Sequence, residues 1–251
     1  MSGHSKWASI KHQKGVADAR RGQVFTRLTR EIMVAVREGG ASPEANFRLR
    51  LSVQKARDAN MPMDNIERAI KRGSGETEGA ILQEFVLEGY GPGGVAILVQ
   101  VLSDNRNRAL QEVRNAFNRH NGSLGESGCV AWLFEPHGLI TVKTEGQDIE
   151  ELELQAIDAG ADDVQRGDGE IEIYTRPEDT EKVRQALEGA GVAVDSAELS
   201  MVAKTLISLE EKPALQALKM LERLEELDDV QSVYSNADFS QEILAKHQSP
   251  S

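Results

Sequence analysis

The first 75 residues carry apolar side chains at helical spacing. Apolar residues recur three or four positions apart along one stripe, which is typical of an amphipathic helix with one buried face. The glycine pair at 39–40 predicts the end of this helix, and Ser42 predicts the start of the next as an N-cap, followed by proline and an acid. The Asn-Met-Pro run at 60–62 breaks that second helix. The stripe of the first helix comprises Val24, Phe25, Leu28, Ile32 and Val36.

After a Gly-Ser-Gly linker at 73–75, the pattern changes to short β-rich runs. Two such runs, 84–90 and 95–102, flank a Gly-Pro-Gly-Gly sequence that predicts a hairpin turn. A polar loop at 103–108 leads into a helix, and 129–134 reads as another strand.

From residue 138 the pattern predicts strand-helix-strand-strand-helix-strand, the order of a ferredoxin-like unit. A strand at 204–209, an amphipathic helix at 213–227 and a strand at 230–236 then follow. These late elements complete the α+β unit left open at residue 134, so the ferredoxin-like unit reads as an insertion. The predicted strands of the insertion are 139–143, 163–166, 170–174 and 198–202, and its helices are 150–159 and 178–189.

The predicted fold class is therefore multi-domain, α and α+β. A helical N-terminal domain precedes two α+β domains, and the third is inserted in the second. The predicted bounds are 1–75 for the basic helical domain, 76–134 with 204–240 for the second domain, 135–203 for the ferredoxin-like domain, and 241–251 for a flexible tail.

Composition indicates the cellular compartment of the protein. Cys129 is the single cysteine, so no intrachain disulfide can form, which fits a reducing cytosol. No apolar run approaches the roughly 20 residues of a membrane span, and no hydrophobic core follows the N-terminus as in a secretory signal. We therefore expect a cytoplasmic protein without a membrane partner.

The net charge of −12 hides a strong asymmetry. Residues 1–75 contain 15 Lys and Arg and 7 Asp and Glu, a net charge of +8. The remaining 176 residues contain 14 Lys and Arg and 34 Asp and Glu, a net charge of −20. Such a basic block in an acidic protein indicates an anionic partner for that block.

Rows of cations suit the phosphate backbone of nucleic acid, because each contact releases counterions without reading sequence. Lys14 and Arg21, seven residues apart, share one helical face, and the pairs Arg48 with Lys55 and Arg50 with Arg57 repeat that spacing. A solvated surface is the alternative for these cations. Trp7 either stacks on a base or caps the helical core. The candidate nucleic-acid-binding residues are Lys6, Trp7, Lys11, Lys14, Arg20, Arg21, Arg27, Arg30, Arg48, Arg50, Lys55 and Arg57.

The polar loop before the helix at 106 is a possible second contact. Asn105, Arg106 and Arg108 offer amide and guanidinium donors there, and the alternative is that they only cap and support the helix.

Other chemistry lacks its sequence pattern. The glycine cluster at 89–94 is followed by a strand, whereas a phosphate-binding loop precedes a helix, so it reads as a turn. The five histidines lack the spacing of metal ligands, and no Gly-x-Ser-x-Gly elbow is present. The acidic runs at 150–153 and 222–229 read as solvated faces. We therefore expect no enzyme activity, no catalytic residue, no metal, no cofactor and no small-molecule substrate.

Three blocks of sequence form a distinctive set of motifs. The first is Gly-His-Ser-Lys-Trp at 3–7, and the second is Asn-Met-Pro at 60–62 with Asp-Asn-Ile at 64–66. The third and most distinctive is the stretch 88–95 with Asp-Asn-Arg-Asn-Arg at 104–108. Together these blocks resemble the motifs of the YebC/PmpR family. The resemblance implies a three-domain fold and a cytoplasmic role in gene expression. Members are described as probable transcriptional regulators, and mitochondrial relatives as translational activators.

Three hypotheses remain open from the sequence. The chain is a DNA-binding transcriptional regulator, or it is a ribosome-associated translation factor that contacts ribosomal RNA. The absence of a helix-turn-helix spacing favours backbone recognition, which suits RNA at least as well as DNA. The third hypothesis is a protein-interaction scaffold whose basic block meets an acidic partner, including its own acidic domains.

Overall fold

A computed structural model describes residues 18–75, 82–167 and 169–248, and the side chains of residues 22–247 within these ranges. The described residues form eight α-helices and ten strands, in a mixed α+β fold with antiparallel sheets. The helices are α1 (Asp18–Gly39), α2 (Phe47–Asp58), α3 (Met63–Gly73), α4 (Arg106–Arg119), α5 (Ile149–Ala159), α6 (Thr180–Gly189), α7 (Glu211–Glu225) and α8 (Gln241–Gln248). The strands are β1 (Gln83–Tyr90), β2 (Ala96–Ser103), β3 (Ser123–Leu124), β4 (Phe134–Lys143), β5 (Asp163–Arg166), β6 (Glu170–Thr175), β7 (Val194–Ala203), β8 (Ile207–Ser208), β9 (Val230–Ser235) and β10 (Ala237–Asp238).

Helix α1 is the centre of the helical unit. Its five consecutive residues from Ile32 to Val36 are all buried, so this part of the helix is enclosed on every side. Helix α3 packs against it at Gly73, where a Cβ atom would lie 2.8 Å from the Val36 Cβ. Helix α2 starts later than the Ser-Pro-Glu motif predicts, because Asn46 is the N-cap and its side chain accepts from the Leu49 N–H.

The first four-stranded sheet has the order β3-β1-β2-β9 and is antiparallel. Helices α4 and α7 cover one face with a core that includes Phe117, Leu218 and Leu221. The Gly-Pro-Gly-Gly sequence joins β1 to β2, as predicted, with Gly93 and Gly94 at positive φ. Strand β9 follows all four strands of the second sheet in the sequence, yet it pairs with β2 of the first sheet.

The second four-stranded sheet has the order β5-β6-β4-β7, also antiparallel. Its chain order is strand, helix, strand, strand, helix, strand, with α5 and α6 packed on one face. The core between them includes Ile140, Ile173, Leu152 and Leu187, all almost fully buried.

Two predicted strands are shorter or absent. The run at 129–134 is not a strand, because the Glu88 carboxylate takes the N–H groups of Val130 and Ala131 that a strand would use. A single 3₁₀ turn forms there instead, and β4 begins at Phe134. Of the strand predicted at 204–209, only β8 forms, paired in parallel with β10.

The segment from residue 241 was expected to be a flexible tail, but it forms helix α8 as far as Gln248. Ile243 and Leu244 are buried against the core of the first sheet, beside the fully buried Phe239. The helix is also fastened by an ion pair between Lys246 and Glu211 at 2.8 Å. The last three residues lie outside the described residues.

Candidate nucleic-acid interface

The structure describes only part of the predicted basic face. Lys6, Trp7, Lys11 and Lys14 lie outside the described residues, and Arg20 and Arg21 belong to α1 without a described side chain. Six of the twelve predicted residues can therefore be located by their side chains: Arg27, Arg30, Arg48, Arg50, Lys55 and Arg57.

Arg27 and Arg30 contact the loop between α7 and β9. The Arg27 guanidinium donates to the Leu227 carbonyl at 3.3 Å, and Arg30 donates to the Asp228 carbonyl at 2.7 Å. Burial lowers the pKa of Arg27, against the opposite effect of Glu225 and Asp228. Both arginines therefore join the helical unit to the first sheet.

Asp229 is the acceptor at the centre of this contact. It is only 2% exposed, and its Oδ1 pairs with Arg30 at 2.8 Å. Its Oδ2 accepts from Arg108 and from the Ser103 hydroxyl, each at 2.8 Å. One buried carboxylate therefore connects helix α1, the end of β2 and helix α4.

Arg48 and Arg50 also meet carboxylates. Arg48 bridges Glu38 of its own unit and Glu84 of β1, the latter at 2.9 Å. Burial acts to lower the pKa of Arg48, but Glu84 and Glu38 outweigh it and raise the pKa. Arg50 pairs with Glu181 of α6 at 3.6 Å. Helix α2 thus contacts both sheet-containing units through its cations.

Lys55 lies where α2 meets β7. Its Nζ pairs with Glu198 at 3.0 Å and lies 4.0 Å from Glu31. Burial acts to lower the pKa of Lys55, but these two carboxylates outweigh it and hold the pKa well above its ordinary value. The ammonium charge is therefore part of the contact between units at any physiological pH.

Arg57 differs from these five residues. It is exposed on α2, and no carboxylate among the described residues forms an ion pair with it. Of the predicted residues with described side chains, Arg57 is the one whose charge faces solvent without a partner in those ranges.

The loop at 104–108 is built as a helix start. Asn105 is the N-cap of α4 and accepts from the Arg108 N–H at 3.0 Å. Arg106 lies over the Phe85 ring, 4.4 Å from its centroid, and Arg108 is held by Asp229 and Asp104. The side chains of this loop thus contact the protein itself.

The burial of Asp229 is not predicted by its local sequence, because the run 222–229 is typical of a solvated acidic face. That reading is wrong for Asp229, since the chain turns inward after α7 and places this carboxylate between two arginines. The partners Glu181 and Glu198 were also missed. Only a prediction of how the units pack could have identified them.

Glu88 and Cys129 define a second polar arrangement behind the hairpin. The Glu88 carboxylate accepts N–H groups from Gly128, Val130 and Ala131 at 2.6–2.9 Å. Cys129 is half-buried, and burial together with Glu88 raises the pKa of its thiol. The thiol therefore stays protonated, which does not suit a nucleophile.

Within the described ranges, no group of three or more His, Cys, Asp or Glu side chains could hold a metal ion. No helix in the same ranges combines the length and apolar character needed to cross a membrane.

Comparison with known proteins covers nearly the whole chain. Residues 5–76 match the family model described as the TACO1/YebC protein N-terminal domain, and residues 82–237 match the TACO1/YebC second and third domain. A "probable transcriptional regulatory protein" of Dehalococcoides mccartyi (strain CBDB1) is 60% identical over 249 residues, 99% of each chain. A protein of Geobacter sulfurreducens with the same description is 52% identical over 246 residues, 98% of this chain and 99% of that one.

A solved structure is also similar. The crystal structure of a conserved hypothetical protein from Aquifex aeolicus matches with a TM-score of 0.88 and 48% identity, and the match covers 95% of this chain and 99% of that chain.

Proposed function

Because the chain belongs to the TACO1/YebC family, whose curated relatives are named probable transcriptional regulatory proteins, we propose that it is a non-enzymatic, nucleic-acid-binding regulator of gene expression. We place its action in the cytoplasm, where its nucleic-acid targets and a reduced Cys129 are found together. The observation that carries the proposal is the charge of +8 on residues 1–75 against −20 on the rest.

The described contacts of the helical unit assign five of its cations to packing. Arg27, Arg30, Arg48, Arg50 and Lys55 hold the unit against the rest of the chain. We assign nucleic-acid binding to Arg57, which is exposed, and to the predicted residues whose side chains lie outside the described ranges: Lys6, Trp7, Lys11, Lys14, Arg20 and Arg21.

Helix α2 supports recognition of the nucleic-acid backbone over recognition of bases. A recognition helix must be free to enter the major groove of DNA. Arg48, Arg50 and Lys55 of α2 all contact carboxylates of the chain, so this face of the helix packs against the rest of the molecule and cannot enter a groove. Backbone recognition leaves RNA as an alternative target to promoter DNA, and with it a role as a ribosome-associated translation factor.

We further propose three domains, with the second sheet inserted in the domain of the first. The pairing of β9 with β2 supports this arrangement, because β9 follows the whole second sheet in the chain.

The test is a triple charge-reversal variant that combines Lys11→Glu, Lys14→Glu and Arg21→Glu. Binding of labelled RNA and of duplex DNA is measured by fluorescence anisotropy across a series of salt concentrations. We expect loss of tight binding and a salt slope smaller by about 2–3, since each phosphate contact contributes about 0.7–0.9 to the slope.

The matched control reverses three cations of the second sheet's unit, Lys143→Glu, Arg176→Glu and Lys182→Glu. It changes the net charge equally, so its binding should stay near the wild-type value. Equal binding by both triple variants would contradict the proposal. Crosslinking in cells, followed by sequencing of the bound nucleic acid, then decides between promoter DNA and ribosomal RNA.

A further inference from the structure

Helix α7 sorts its exposed charges by side. Successive residues of a helix are separated by about 100°, so Lys212, Lys219 and Arg223 fall within one narrow sector. The acids Glu211, Glu222 and Glu225 fall within a neighbouring sector. The helix therefore carries a cationic stripe and an acidic stripe side by side.

The acidic stripe already has partners. Glu211 pairs with Lys246 of α8 at 2.8 Å, and Glu222 pairs with His247 at 3.0 Å. The negative charge of Glu225 attracts the Arg27 guanidinium of the helical unit and acts to raise its pKa. The acids of α7 therefore serve contacts within the molecule.

The cationic stripe points to solvent. Lys212, Lys219 and Arg223 are exposed, and no carboxylate among the described residues pairs with either lysine. Arg223 pairs with Glu226 at 3.2 Å, but both side chains are about half exposed. An ion pair so open to water contributes little and exchanges readily for a stronger anion.

The end of α4 adds two more basic groups to this stripe. The turn after α4 packs on α7 at Gly122, where a Cβ atom would lie 2.8 Å from the Met220 Cε. Arg119 is exposed and His120 is half-buried at this turn. Burial and the cations Arg223, Lys219 and Arg119 lower the pKa of His120. The α4–α7 cationic surface thus comprises Lys212, Lys219, Arg223, Arg119 and His120.

Such a cluster is unexpected in the acidic part of the chain. Residues 76–251 have a net charge of −20, so carboxylates are abundant, yet Lys212, Lys219 and Arg119 have none of the described ones as an ion-pair partner. Like charges gathered on one surface repel one another, and an external polyanion removes that repulsion.

We propose that the α4–α7 cationic surface binds the phosphate backbone of RNA as a second contact, separate from the helical unit. The inference rests on the proposed function, since it takes nucleic acid as the ligand. Helix α7 lies packed on the first sheet and cannot enter a groove, so it follows a backbone from outside.

The choice of RNA over DNA comes from the amides on this surface. Gln216 lies beside the cationic sector of α7, about 20° from Arg223 around the helix, and Asn118 is exposed near the end of α4. Amides both donate and accept hydrogen bonds, as does the ribose 2′-hydroxyl that distinguishes RNA.

The test compares two double variants. The α7 variant combines Lys219→Glu and Arg223→Glu. The control variant combines Lys143→Glu and Lys182→Glu, and it makes the same change of charge on another unit. Anisotropy is measured with a labelled RNA hairpin that carries single-stranded flanks, and with DNA of the same sequence. We expect RNA affinity at low salt to fall at least tenfold in the α7 variant and the salt slope to fall by about 1.5. The control pair should stay within twofold of wild type.

A second measurement is independent of the substitutions. The ring signals of His120 are assigned by comparison with His120→Gln and titrated by NMR with and without the RNA. Bound phosphates beside the imidazolium favour its charged form, so RNA should raise the pKa of His120.

If the double charge-reversal variant of α7 fails to fold, a neutral double variant that combines Lys219→Gln and Arg223→Gln replaces it.

The outcomes separate this inference from the proposed function. If the α7 variants bind like wild type and the His120 pKa is unmoved by RNA, the second contact is overturned while the helical unit can still bind. If the α7 variants lose affinity and the Lys11, Lys14 and Arg21 reversal does not, the second contact stands and the proposed role of the helical unit falls. Equal losses for RNA and DNA would overturn the choice of RNA.

Discussion

Asp229 shows how much one residue contributes to the arrangement of the units. Its carboxylate accepts from Arg30, Arg108 and Ser103, and only 2% of the residue is exposed. Breaking a buried, hydrogen-bonded ion pair from one side leaves the remaining charges without compensation.

We predict that Asp229→Asn lowers the free energy of unfolding by about 3 kcal/mol, measured by urea denaturation. Asp104→Asn is the matched control, because Asp104 binds the same Arg108 on the exposed side, and its cost should be at most about 1 kcal/mol. Equal costs for the two variants would show that the buried position of Asp229 is unimportant.

Glu88 makes the stability of the fold depend on pH. Burial acts to raise the pKa of Glu88, but the N–H groups of Gly128, Val130 and Ala131 outweigh it and hold the pKa below its ordinary 4.5. A carboxylate with a depressed pKa stabilises the fold above its unfolded-state pKa and loses that contribution as the pH falls through the folded-state value.

We predict that Glu88→Gln costs about 1–3 kcal/mol at neutral pH, because a neutral amide cannot replace a charged acceptor of three donors. The difference from wild type should shrink as the pH falls below 4.5. Urea denaturation over a pH series measures it, with the exposed Glu126→Gln as the control. A difference that is constant with pH would contradict the role given to the charge.

At the scale of the element, helix α2 carries cations with opposite roles two residues apart. Lys55 is held between Glu198 and Glu31, whereas Arg57 is exposed. The helix therefore provides its own matched pair of variants for separating packing from ligand binding.

We predict that Lys55→Gln lowers the melting temperature by about 2–4 °C, corresponding to about 1 kcal/mol for a chain of this size. Arg57→Gln should leave the melting temperature unchanged and weaken nucleic-acid binding. Thermal unfolding and anisotropy on both variants test the assignment. A loss of binding in Lys55→Gln without any change in stability would reverse it.

The elements themselves were largely predictable from local pattern. The hairpin turn at 91–94 lies where glycine and proline predict it, and strand β6 lies where the β-branched residues Ile171 and Ile173 alternate with polar ones. Errors arose where a distant group decides the local structure. Glu88 removes N–H groups from the predicted strand at 129–134, and the apolar pair Ile243 and Leu244 turns a polar segment into a packed helix.

The candidate site was less predictable than the elements. The basic block is evident from the sequence. The sequence does not show that Arg30, Arg48 and Lys55 form ion pairs with carboxylates of other units. Such pairs join residues between 36 and 199 positions apart, and no spacing rule along a helix reports them.

At the scale of the whole molecule, the contacts between units combine exposed and buried charges. The pairs of Arg48 with Glu84 and Lys55 with Glu198 are each about one-third exposed, while Asp229 is almost fully buried. Salt screens exposed pairs strongly and buried pairs much less.

We predict that the radius of gyration of the wild-type protein, measured by small-angle X-ray scattering, is unchanged between low salt and about 0.5 M salt. The double variant, which combines Asp229→Asn and Lys55→Gln, should expand over the same series, because the ion pairs that remain between the units are exposed and therefore screened by salt. Expansion of the wild type would show that charge alone holds the units together.

The position of β9 has a consequence for biosynthesis. Strand β2 needs β9 as its neighbour on one side, and β9 begins at Val230, after the entire second sheet. At a synthesis rate of about 5–20 residues per second, the ribosome takes on the order of ten seconds to supply it. During that interval the nascent chain presents an apolar strand with a free edge, which invites pairing with other chains. Phe134 and Ala203, at the two ends of the second sheet's unit, are paired neighbours, so folding of that unit brings the two parts of the first sheet's unit together before β9 emerges.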